Sequence, residues 1–460
     1  MNFELGLWNF YHFFLDAKKH FLQSFSPGKA ALAIIATISL ISVLFYRHEY
    51  NKLRYVLEVF NYFGKPNPKG LDSNCTNLPG IFTKFNMLLE EPYASWQRID
   101  DDLYVYSAYS IKTNEVEVIG FASRAVISDL QCAVFSQADR KPVLGTVKPI
   151  LIENTTVTIS TTELEHAAYH FVCTHTMNEV PIGVTLLTTS NGNTNDAPVL
   201  GVKSQVHILN NNNTAVCVTP LPQRQLNNLD MISFINFHDL IGMNNFIIYD
   251  NGIYPKLHSQ LREASMMQSP YWKFTYSVLP WNFPYRGVEN KILNNIIQAD
   301  CFYRTYNKAM YVAVLSWNEY IVLRYHHSIV DLMADFSKSR MKADCYEFST
   351  LYFCTEQVDD TRHTNSSLTI FRKTHYNPSI TEDHPISICL PHNILNKHSR
   401  YTRHIGNDLG VLNVYRYCYK DSSLKESVYD SSILRFLEDM QNSSIFKRFI
   451  ATNSNVLREE

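Results

Sequence analysis

The chain has 460 residues, and its 41 Lys and Arg stand against 43 Asp and Glu, so the formal net charge is −2. This balance leaves no positive excess for a phosphate backbone and argues against nucleic-acid binding. Hydrophobic residues make up 45% of the chain and charged residues 18%, which excludes intrinsic disorder for most of its length. The length suits two or three packed domains and excludes a single small module.

The first predicted element is a membrane anchor. Residues 30–46 read AALAIIATISLISVLFY, an uncharged run between Lys29 and Arg47. A helix of about 17 to 25 apolar residues can span a bilayer. A cleaved signal peptide is the alternative, but the preceding segment is long and carries acidic residues, and no small-residue cleavage site follows. We therefore predict an uncleaved transmembrane signal anchor at 30–46, with residues 1–29 as a cytoplasmic tail.

Glycosylation signals indicate on which side of the membrane the body lies. Five N-x-[ST] sequons follow the anchor, at Asn74, Asn154, Asn212, Asn365 and Asn442. The Lys and Arg residues that flank the anchor are balanced and do not set its orientation. The sequons favour a lumenal or extracellular body, which makes the chain a single-pass type II membrane protein.

The cysteines predict disulfides rather than a metal site. Eight of the nine cysteines lie inside the body, while Cys75 precedes it. No C-x-x-C spacing typical of zinc sites occurs, so an oxidised framework is favoured. The odd count leaves at least one thiol free or paired between chains. This layout is typical of secretory-pathway residents, including glycan-processing enzymes, and it suits receptors and adhesion proteins equally well.

The first part of the body is predicted to be rich in β-strands. Residues 47–95 form a stem, since the stretch from 63 to 79 collects Pro, Gly, Asn and Ser. Residues 96–210 contain short alternating or β-branched runs that are separated by polar turns, with no helical period between them. This pattern predicts an antiparallel, sandwich-like domain.

The hydrophobic period changes after residue 213. AVCVTPL from Ala215 reads as a buried strand, the next apolar residues are spaced as in a helix, and NNFIIYDNG supplies a second strand. This order predicts a βαβ unit, and later segments extend it to an α/β core with a parallel or mixed sheet. Such sheets bind ligands beyond the carboxyl ends of their strands, which places Pro220, Asp250, Asn251 and Ser316 near a cleft.

Several common catalytic signatures do not occur. The sequence contains no G-x-G-x-x-G, no Walker A loop, no G-x-S-x-G elbow and no H-E-x-x-H. Dinucleotide redox chemistry, P-loop NTP hydrolysis and the commonest hydrolase layouts therefore lose most of their support.

A specific order of segments resembles a known family. These segments are LYVYSAY near Tyr106, YHFVCTHTMNEVPIGVTLL around Cys173, AVCVTPL at Cys217, FINFHDLIGMNNFIIYDNG, and QADCFYRTYNKAMYVAVLSWNEYIVL. Their order and spacing resemble glycosyltransferase family 92 over roughly residues 100 to 420. The resemblance implies a GT-A-like nucleotide-sugar core, assigned here to residues 211–425, followed by a C-terminal tail at 426–460.

The resemblance also implies an activity and a location. Members of the family are type II Golgi membrane proteins that transfer a hexose, often galactose, with inversion and usually with Mn²⁺. We therefore expect a UDP-hexose donor, a glycan or glycoprotein acceptor, a body in the Golgi lumen, and membrane attachment through the one N-terminal helix.

The expected metal motif is altered. Where the family has Asp-x-Asp-Glu at the end of a buried strand, this chain has Ser316, Trp317, Asn318 and Glu319. A cation beside a diphosphate is normally held by two or more carboxylates. Ser316, Asn318 and Glu319 together should therefore bind Mn²⁺ weakly or not at all. Glu319, which keeps its charge, is the candidate catalytic residue and is expected to face the diphosphate.

Five further residues are candidate substrate contacts. Asp250 and Asn251 should lie near the nucleotide, Trp317 should stack on a sugar ring, and Arg416 should neutralise phosphate charge. His404 matches another histidine of the family, whereas a family histidine near GVLNVYRYC is replaced by Val414 here.

Structural interpretations of these residues stay open. Glu319 also fits a surface carboxylate, Asp250 and Asn251 fit turn formers, and Trp317 fits the edge of a core. Likewise, Asp300 can cap a helix or pair with Arg304, and Cys217 and Cys301 suit packing or a disulfide better than catalysis.

Two functional hypotheses therefore remain. The first is a Golgi hexosyltransferase of family 92 descent. The second is a catalytically impaired pseudoglycosyltransferase that binds a lumenal glycan or partner. A surface adhesion module is disfavoured, because adhesion does not require the long βαβ core.

Overall fold

The computed structural model describes residue 39 and residues 94–136, 142–153, 156–159, 164–188, 198–204, 213–220, 228–251, 275–363, 366–380, 386–396, 400–418, 427–443 and 446–447. The predicted tail, the anchor apart from Ser39, most of the stem, Cys75 and four of the sequons lie outside these residues. Within them, no helix is both long and apolar enough to cross a membrane. The chain divides into two compact units, residues 1–77 and 78–460, and the architecture below belongs to the second.

The β-rich part forms one sheet of nine strands. Its strands are β1 (Gln97–Asp100), β2 (Leu103–Ser110), β3 (Glu115–Ser123), β4 (Gln131–Phe135), β5 (Val143–Leu151), β6 (Val157–Ile159), β7 (Leu164–Thr174), β8 (Gly183–Leu187) and β9 (Leu200–Ser204). A 3₁₀ turn covers Ile127–Asp129. The short alternating or β-branched runs predicted most of these strands correctly, but β1 and β5 were not predicted.

This sheet closes on itself, which differs from the predicted sandwich. The strands follow the order β1-β2-β3-β7-β5-β4-β8-β9, and β9 returns to pair in parallel with β2, for example Val202 with Ala108. The neighbouring pairs along this path are otherwise antiparallel. Period-2 alternation identifies strands and faces, whereas closure depends on a pairing between strands that are distant in sequence.

A disulfide crosses the middle of the closed sheet. Cys132 on β4 is bonded to Cys173 on β7, and β5 runs between these two strands. At Gly145 on β5, a Cβ atom would lie 2.9 Å from the Cys132 sulfur and would also collide with the carbonyl oxygen of Thr174. The missing side chain at Gly145 is therefore what lets the disulfide pass over β5.

The second part is a mixed α/β structure with three further sheets. Its strands are β10 (Thr214–Val218), β11 (Asn245–Asp250), β12 (Thr275–Pro280), β13 (Tyr311–Leu315), β14 (Glu319–Leu323), β15 (Cys345–Phe348), β16 (Thr350–Cys354), β17 (His375–Tyr376), β18 (Ile386–Cys389), β19 (Thr402–His404), β20 (Gly410–Arg416) and β21 (Val428–Tyr429). Its helices are α1 (Asn228–Leu240), α2 (Asn290–Thr305), α3 (Ile329–Lys338), α4 (Thr369–Arg372), α5 (Pro391–Asn396) and α6 (Leu437–Asn442), with a 3₁₀ turn at Ser432–Phe436.

The largest of these sheets confirms the predicted βαβ unit. Its order is β12-β11-β10-β13-β18-β15-β19, and the first four strands are parallel. Helix α1 connects β10 to its neighbour β11, as the change of period indicated. The sheet is mixed because β18 runs antiparallel to both β13 and β15. A smaller three-stranded sheet, β14-β20-β16, continues the chain beyond β13.

The two faces of the parallel strands belong to different cores. Val216 and Val218 pack with residues of α1, including Phe234, in one buried cluster. Ala215 and Cys217 pack in another cluster with residues of α2. That second cluster also contains Tyr106 and Phe121 from the closed sheet and Trp96 just before β1, so the closed sheet and the α/β part share one hydrophobic core.

Four disulfides account for eight cysteines and confirm the predicted oxidised framework. Besides Cys132–Cys173, the bonds are Cys217–Cys301, Cys345–Cys389 and Cys354–Cys418. Cys217–Cys301 ties β10 to α2, which supports the structural interpretation of both residues over a catalytic one.

Candidate functional site

The candidate site lies at one edge of the large sheet, where its parallel strands end. Val218 on β10 is in register with Ile248 on β11 and with Leu315 on β13, and Asp250 is in register with Pro280 on β12. The four carboxyl ends therefore share one edge, where ligands of open α/β sheets bind. We call this the strand-end edge.

Two hydroxyl groups meet at this edge. Thr219 follows β10 and Ser316 follows β13, and their side-chain oxygens lie 2.9 Å apart in a hydrogen bond. The backbone N–H of Thr219 also donates to the carbonyl of Leu315 at 2.9 Å. Sequence reasoning selected Ser316 and the neighbouring Pro220 but missed Thr219. Only the adjacency of β10 and β13 identifies Thr219, and composition does not reveal that adjacency.

Glu319 closes the turn that connects β13 to β14. Its carboxylate Oε2 accepts a hydrogen bond from the backbone N–H of Ser316 at 2.7 Å, while its own N–H donates to the Ser316 carbonyl at 3.0 Å. Burial raises the pKa of the half-buried Glu319 carboxyl to about 7, although the Ser316 N–H opposes this effect. A carboxyl with this pKa can carry or release a proton near neutral pH.

Asn318 is held by hydrogen bonds to Tyr415 on β20. Its side-chain amide nitrogen donates to the backbone carbonyl of Tyr415 at 2.9 Å, and its backbone carbonyl accepts from the Tyr415 N–H at 3.0 Å. Because β14 and β20 are antiparallel partners, with Glu319 opposite Val414, the turn is fixed against β20. The position where the family histidine was expected therefore adjoins the turn.

Trp317 corrects one expectation. Only 1% of its surface is exposed, and its ring lies 5.4 Å from that of Phe234 on α1. The turn directs this side chain under the sheet and into the core. Trp317 therefore has no exposed face that could stack on a sugar ring, and the core interpretation of this residue is the right one.

Asp250 and Asn251 lie on the strand-end edge at the end of β11. Asp250 is half-buried and Asn251 is exposed. The carbonyl of Asp250 accepts a hydrogen bond of 2.6 Å from the backbone N–H of Trp281, the residue after β12. A role for either side chain in nucleotide binding remains a prediction.

Arg416 ends β20, two residues beyond the Val414 position. Its guanidinium lies over the ring of Tyr352 on β16, 4.6 Å from the ring centre. The disulfide between Cys354 and Cys418 joins the end of β16 to the segment just after β20. Arg416 therefore lies in a part of the small sheet that is cross-linked by a disulfide, and it is on the same strand as Tyr415, which holds Asn318.

His404 reaches the same edge of the large sheet at a greater distance. It ends β19, and β18 and β15 lie between β19 and β13. The register across these strands places Arg403 on β19 level with Ala313 on β13, through Ile388 and Tyr346. His404 therefore lies one residue nearer to the strand-end edge than Ala313 does. The exposed His404 contacts the hydroxyl of Ser349 through Nε2 at 3.0 Å. The structure does not group His404 directly with Ser316 and Glu319.

The donor groups at the turn do not suit Mn²⁺. The Ser316 hydroxyl bonds to Thr219, the Asn318 amide nitrogen bonds to a carbonyl, and Glu319 is the one carboxylate of the turn. Hard divalent cations favour several charged oxygens. Elsewhere in the described ranges, Cys354, Glu356 and Cys418 lie close enough to share an ion, but both sulfurs are already in a disulfide.

Comparison with known proteins gives one family. The model described as "Glycosyltransferase family 92" matches residues 212–453, slightly more than half of the chain. No curated protein matches the chain significantly.

Solved structures give only distant likenesses. The UDP-glucose pyrophosphorylase from Acinetobacter baumanii is 8% identical, with a TM-score of 0.24 over 54% of this chain and 99% of that chain. An apo UDP-glucose pyrophosphorylase is 10% identical, with a TM-score of 0.22 over 50% of this chain and 97% of that chain. A UDP-glucose pyrophosphorylase complexed with UDP-glucose is 11% identical, with a TM-score of 0.21 over the same shares. At such low TM-scores, fold and function have to be argued from the family and from the site.

Proposed function

Starting from the fact that the chain belongs to glycosyltransferase family 92, we propose that it transfers a hexose, with galactose as the first candidate, from a UDP-sugar to a glycan acceptor. The match of the family model confirms the resemblance found in the sequence and supports a glycosyltransferase in general terms. The strand-end edge carries the finer proposal, because a GT-A-like core would bind its nucleotide sugar beyond the ends of β10, β11 and β13.

The residues of this edge suggest how a donor would be held. Asp250 and Asn251 are assigned to the nucleotide. The Thr219 and Ser316 hydroxyls share one hydrogen bond, so the hydroxyl that accepts it keeps its own hydrogen and can donate to a diphosphate oxygen. Protonated Glu319, whose pKa is raised to about 7, can donate a further hydrogen bond to the leaving diphosphate. In an inverting transfer, the acceptor hydroxyl gives its proton to a base and attacks the anomeric carbon, while the bond to UDP breaks and UDP leaves with the bonding electrons.

Charge neutralisation by Mn²⁺ has little support at this turn. Glu319 is its only carboxylate, and the other donors are neutral and already hydrogen-bonded. A diphosphate would instead draw on hydrogen-bond donors and on Arg416, whose guanidinium keeps its charge at any relevant pH. We therefore expect transfer to depend weakly on Mn²⁺ or not at all.

We place the body in the Golgi lumen, behind a single-pass type II anchor. Four disulfides support an oxidising compartment. Asn442, the sequon asparagine within the described residues, is exposed at the end of α6 and is open to glycosylation. An N-glycan-removing endoglycosidase should increase the gel mobility of the cell-expressed protein. An unchanged band, together with protease sensitivity in sealed vesicles, would place the body in the cytosol.

A pseudoglycosyltransferase is the second candidate. One observation favours it: the polar side chains of the turn between β13 and β14 are engaged within the protein. The side chains of Ser316, Asn318 and Glu319 each form a hydrogen bond with another group of the chain. A turn closed in this way can preserve the fold without supporting turnover. In that case the protein would bind a lumenal glycan or partner.

Turnover and binding should be measured together on the purified full chain. UDP-galactose, UDP-glucose and UDP-N-acetylglucosamine are each supplied with and without Mn²⁺, and UDP release and the thermal shift are recorded. UDP release with any of the three supports a transferase, and preference for UDP-galactose supports the specific proposal. Because a ligand that binds the native state raises its stability, a thermal shift without UDP release favours the pseudoenzyme. If neither UDP release nor a thermal shift is observed with any of the three donors, the protein does not bind these nucleotide sugars and the proposal is refuted.

A further inference from the structure

A carboxylate follows the small sheet on the side where the turn between β13 and β14 lies. Strands β16 and β20 run parallel and end level with each other, since Cys354 is in register with Arg416. Strand β20 is antiparallel to β14 and places Val414 opposite Glu319. Strands β16 and β20 therefore end on the same side as β13, and Glu356 comes two residues after the end of β16.

Hydrogen bonds connect the backbone at Glu356 to the turn. Asn318 in the turn is bonded to Tyr415 on β20. The carbonyl of the next residue, Arg416, accepts from the N–H of Thr355 at 2.8 Å, and Thr355 directly precedes Glu356. Because neighbouring strands lie about 4.8 Å apart and β20 lies between β14 and β16, β16 is about 10 Å to the side of the turn.

The Glu356 carboxylate is held through one of its two oxygens. Oε1 accepts a hydrogen bond of 2.8 Å from the Cys418 N–H, and the disulfide between Cys354 and Cys418 fixes the backbone on both sides of this bond. The residue is exposed, and its other oxygen has no hydrogen-bond or ion-pair partner among the described residues. A carboxylate that is held in this way and keeps a free oxygen can take a proton from a bound hydroxyl.

Other carboxylates on this side of the sheets are paired or assigned. Asp359 is paired with Lys373 at 2.7 Å, and Asp360 is paired with Arg362 at 2.8 Å. Asp250 ends β11, is assigned to the nucleotide, and is separated by β10 from β13, whose end carries the turn. Of these four carboxylates, the one after β16 is placed for the acceptor.

We propose that Glu356 is the general base that receives the proton of the acceptor hydroxyl. This proposal rests on the glycosyl transfer proposed above. In the step, the acceptor O–H bond breaks, its proton passes to the Glu356 carboxylate, and the oxygen forms a bond to the anomeric carbon. The bond between that carbon and the diphosphate breaks, and its electron pair leaves with UDP. Glu356 then returns the proton to water.

The spacing between β16 and the turn suits inversion. In an inverting displacement, the attacking and leaving oxygens lie on opposite faces of the anomeric carbon, so the base and the groups that hold the diphosphate must stand apart. In inverting glycoside hydrolases, the two carboxyl groups that flank the reacting bond are about 6.5 to 9.5 Å apart. A base on the β16 side, about 10 Å from the turn, leaves comparable room for the sugar and the acceptor oxygen.

Kinetics on the purified full chain test this assignment. UDP release from UDP-galactose is followed with N-glycans released from total cell glycoprotein as the acceptor mixture. Glu356→Gln keeps an acceptor for the Cys418 N–H but cannot take up the proton, so kcat should fall by about 100-fold or more. The KM for UDP-galactose and the thermal shift caused by UDP should not change, because the donor is assigned to the turn and to β11.

Glu356→Asp is the second variant. It keeps the charge but withdraws the carboxylate by one methylene group, and a misplacement of about 1 Å can cost about 100-fold in rate. Its kcat should therefore fall by about tenfold or more. The matched control is Glu179→Gln, which changes an exposed carboxyl after β7 and should keep the wild-type kcat.

The outcomes separate this assignment from the proposed activity. A folded Glu356→Gln variant with the wild-type kcat overturns the assignment, and a loss of kcat in His404→Gln instead would give the role to that histidine. Should Glu356→Gln not fold by near-ultraviolet circular dichroism, Glu356→Asp decides, since a wild-type kcat there contradicts the proposal. If the wild type releases no UDP from any of the three donors, glycosyl transfer itself is refuted, and the base with it.

Discussion

The hydroxyl of Tyr249 on β11 donates a hydrogen bond of 2.6 Å to Oδ2 of Asp300 on α2, at a point with no exposure to solvent. Ser107 and Tyr109, both on β2 of the closed sheet, donate to the other oxygen of Asp300 at 2.5 and 2.6 Å. Arg304 completes the set with an ion pair of 3.0 Å. One carboxylate thus joins the closed sheet, the parallel sheet and a helix.

Removal of the Asp300 charge should be strongly destabilising. Burial opposes ionisation of Asp300, but the Arg304 charge and the donated hydrogen bonds prevail and lower its pKa. Asp300→Asn would leave Arg304 buried without a counter-charge, which costs about 3 to 5 kcal/mol in comparable cases. Denaturant unfolding should show this loss. Asp101→Asn, which breaks the exposed pair with Arg98, is the control and should cost about 1 kcal/mol or less. Equal losses in the two variants would contradict a special role for Asp300.

Glu319 should make stability depend on pH. Its folded-state pKa of about 7 lies above the ordinary value of 4.5, so the native state binds the proton more tightly than the unfolded chain does. The stability linked to this proton is fully present below pH 4.5 and is lost as the pH rises through about 7. Glu319→Gln keeps an acceptor for the Ser316 N–H and removes the charge. Its melting temperature should exceed that of the wild type at pH 8 by about 2 °C or more.

The control for Glu319 is Glu179→Gln, which changes an exposed carboxyl. It should follow the wild type at every pH. A Glu319→Gln variant that is less stable than the wild type at pH 8 would mean that the carboxylate is ionised and favourably paired in the native state.

Restored aspartates should create metal affinity at the turn. Ser316→Asp combined with Asn318→Asp places two more carboxylates beside Glu319, where they repel one another without a cation. The second change also replaces the donor to the Tyr415 carbonyl with an acceptor, so the double variant should be less stable than the wild type. Mn²⁺ should restore stability, and calorimetry should detect its binding.

The two single variants serve as controls and should bind Mn²⁺ more weakly than the pair. A folded double variant that binds no Mn²⁺, with or without UDP, would show that residues 316–319 are not the metal position of this fold.

Gly145 should not tolerate a side chain. In Gly145→Ala the new methyl group would meet the Cys132 sulfur at 2.9 Å and the Thr174 carbonyl, both in the centre of the closed sheet. Forced overpacking of this kind costs about 1 to 3 kcal/mol. Gly406→Ala is the control, since a methyl group there meets only the side chain of Asp408, which can rotate away. Thermal unfolding compares the two, and an unaffected Gly145→Ala would show that β5 can move away from the disulfide.

The sequence predicted those parts of the fold that depend on local pattern. The change from period 2 to helical spacing located β10, α1 and β11, and the cysteine count predicted disulfides, because both signals are written in neighbouring residues. The pairing of Asp300 with Arg304 was an open alternative and is confirmed at 3.0 Å.

Relations between distant segments were not predictable in the same way. The return of β9 to β2 and the contact of Thr219 with Ser316 depend on which strands become neighbours. Trp317 was misplaced because a turn residue between two strands can face either solvent or core, and sequence spacing does not distinguish these cases.

The start of the family match does not coincide with a boundary of the hydrophobic core, because one cluster of buried residues is shared by the two parts of the body. The family match starts at residue 212, yet the apolar surface around Tyr249 and Trp281 is covered by Trp96, Tyr106 and Phe121. A recombinant fragment cut at residue 212 would present this aromatic surface to water and would be prone to aggregation. The β-rich part therefore covers apolar surface of the part that matches the family, and we expect soluble expression of residues 212–453 to require the β-rich part in the same chain.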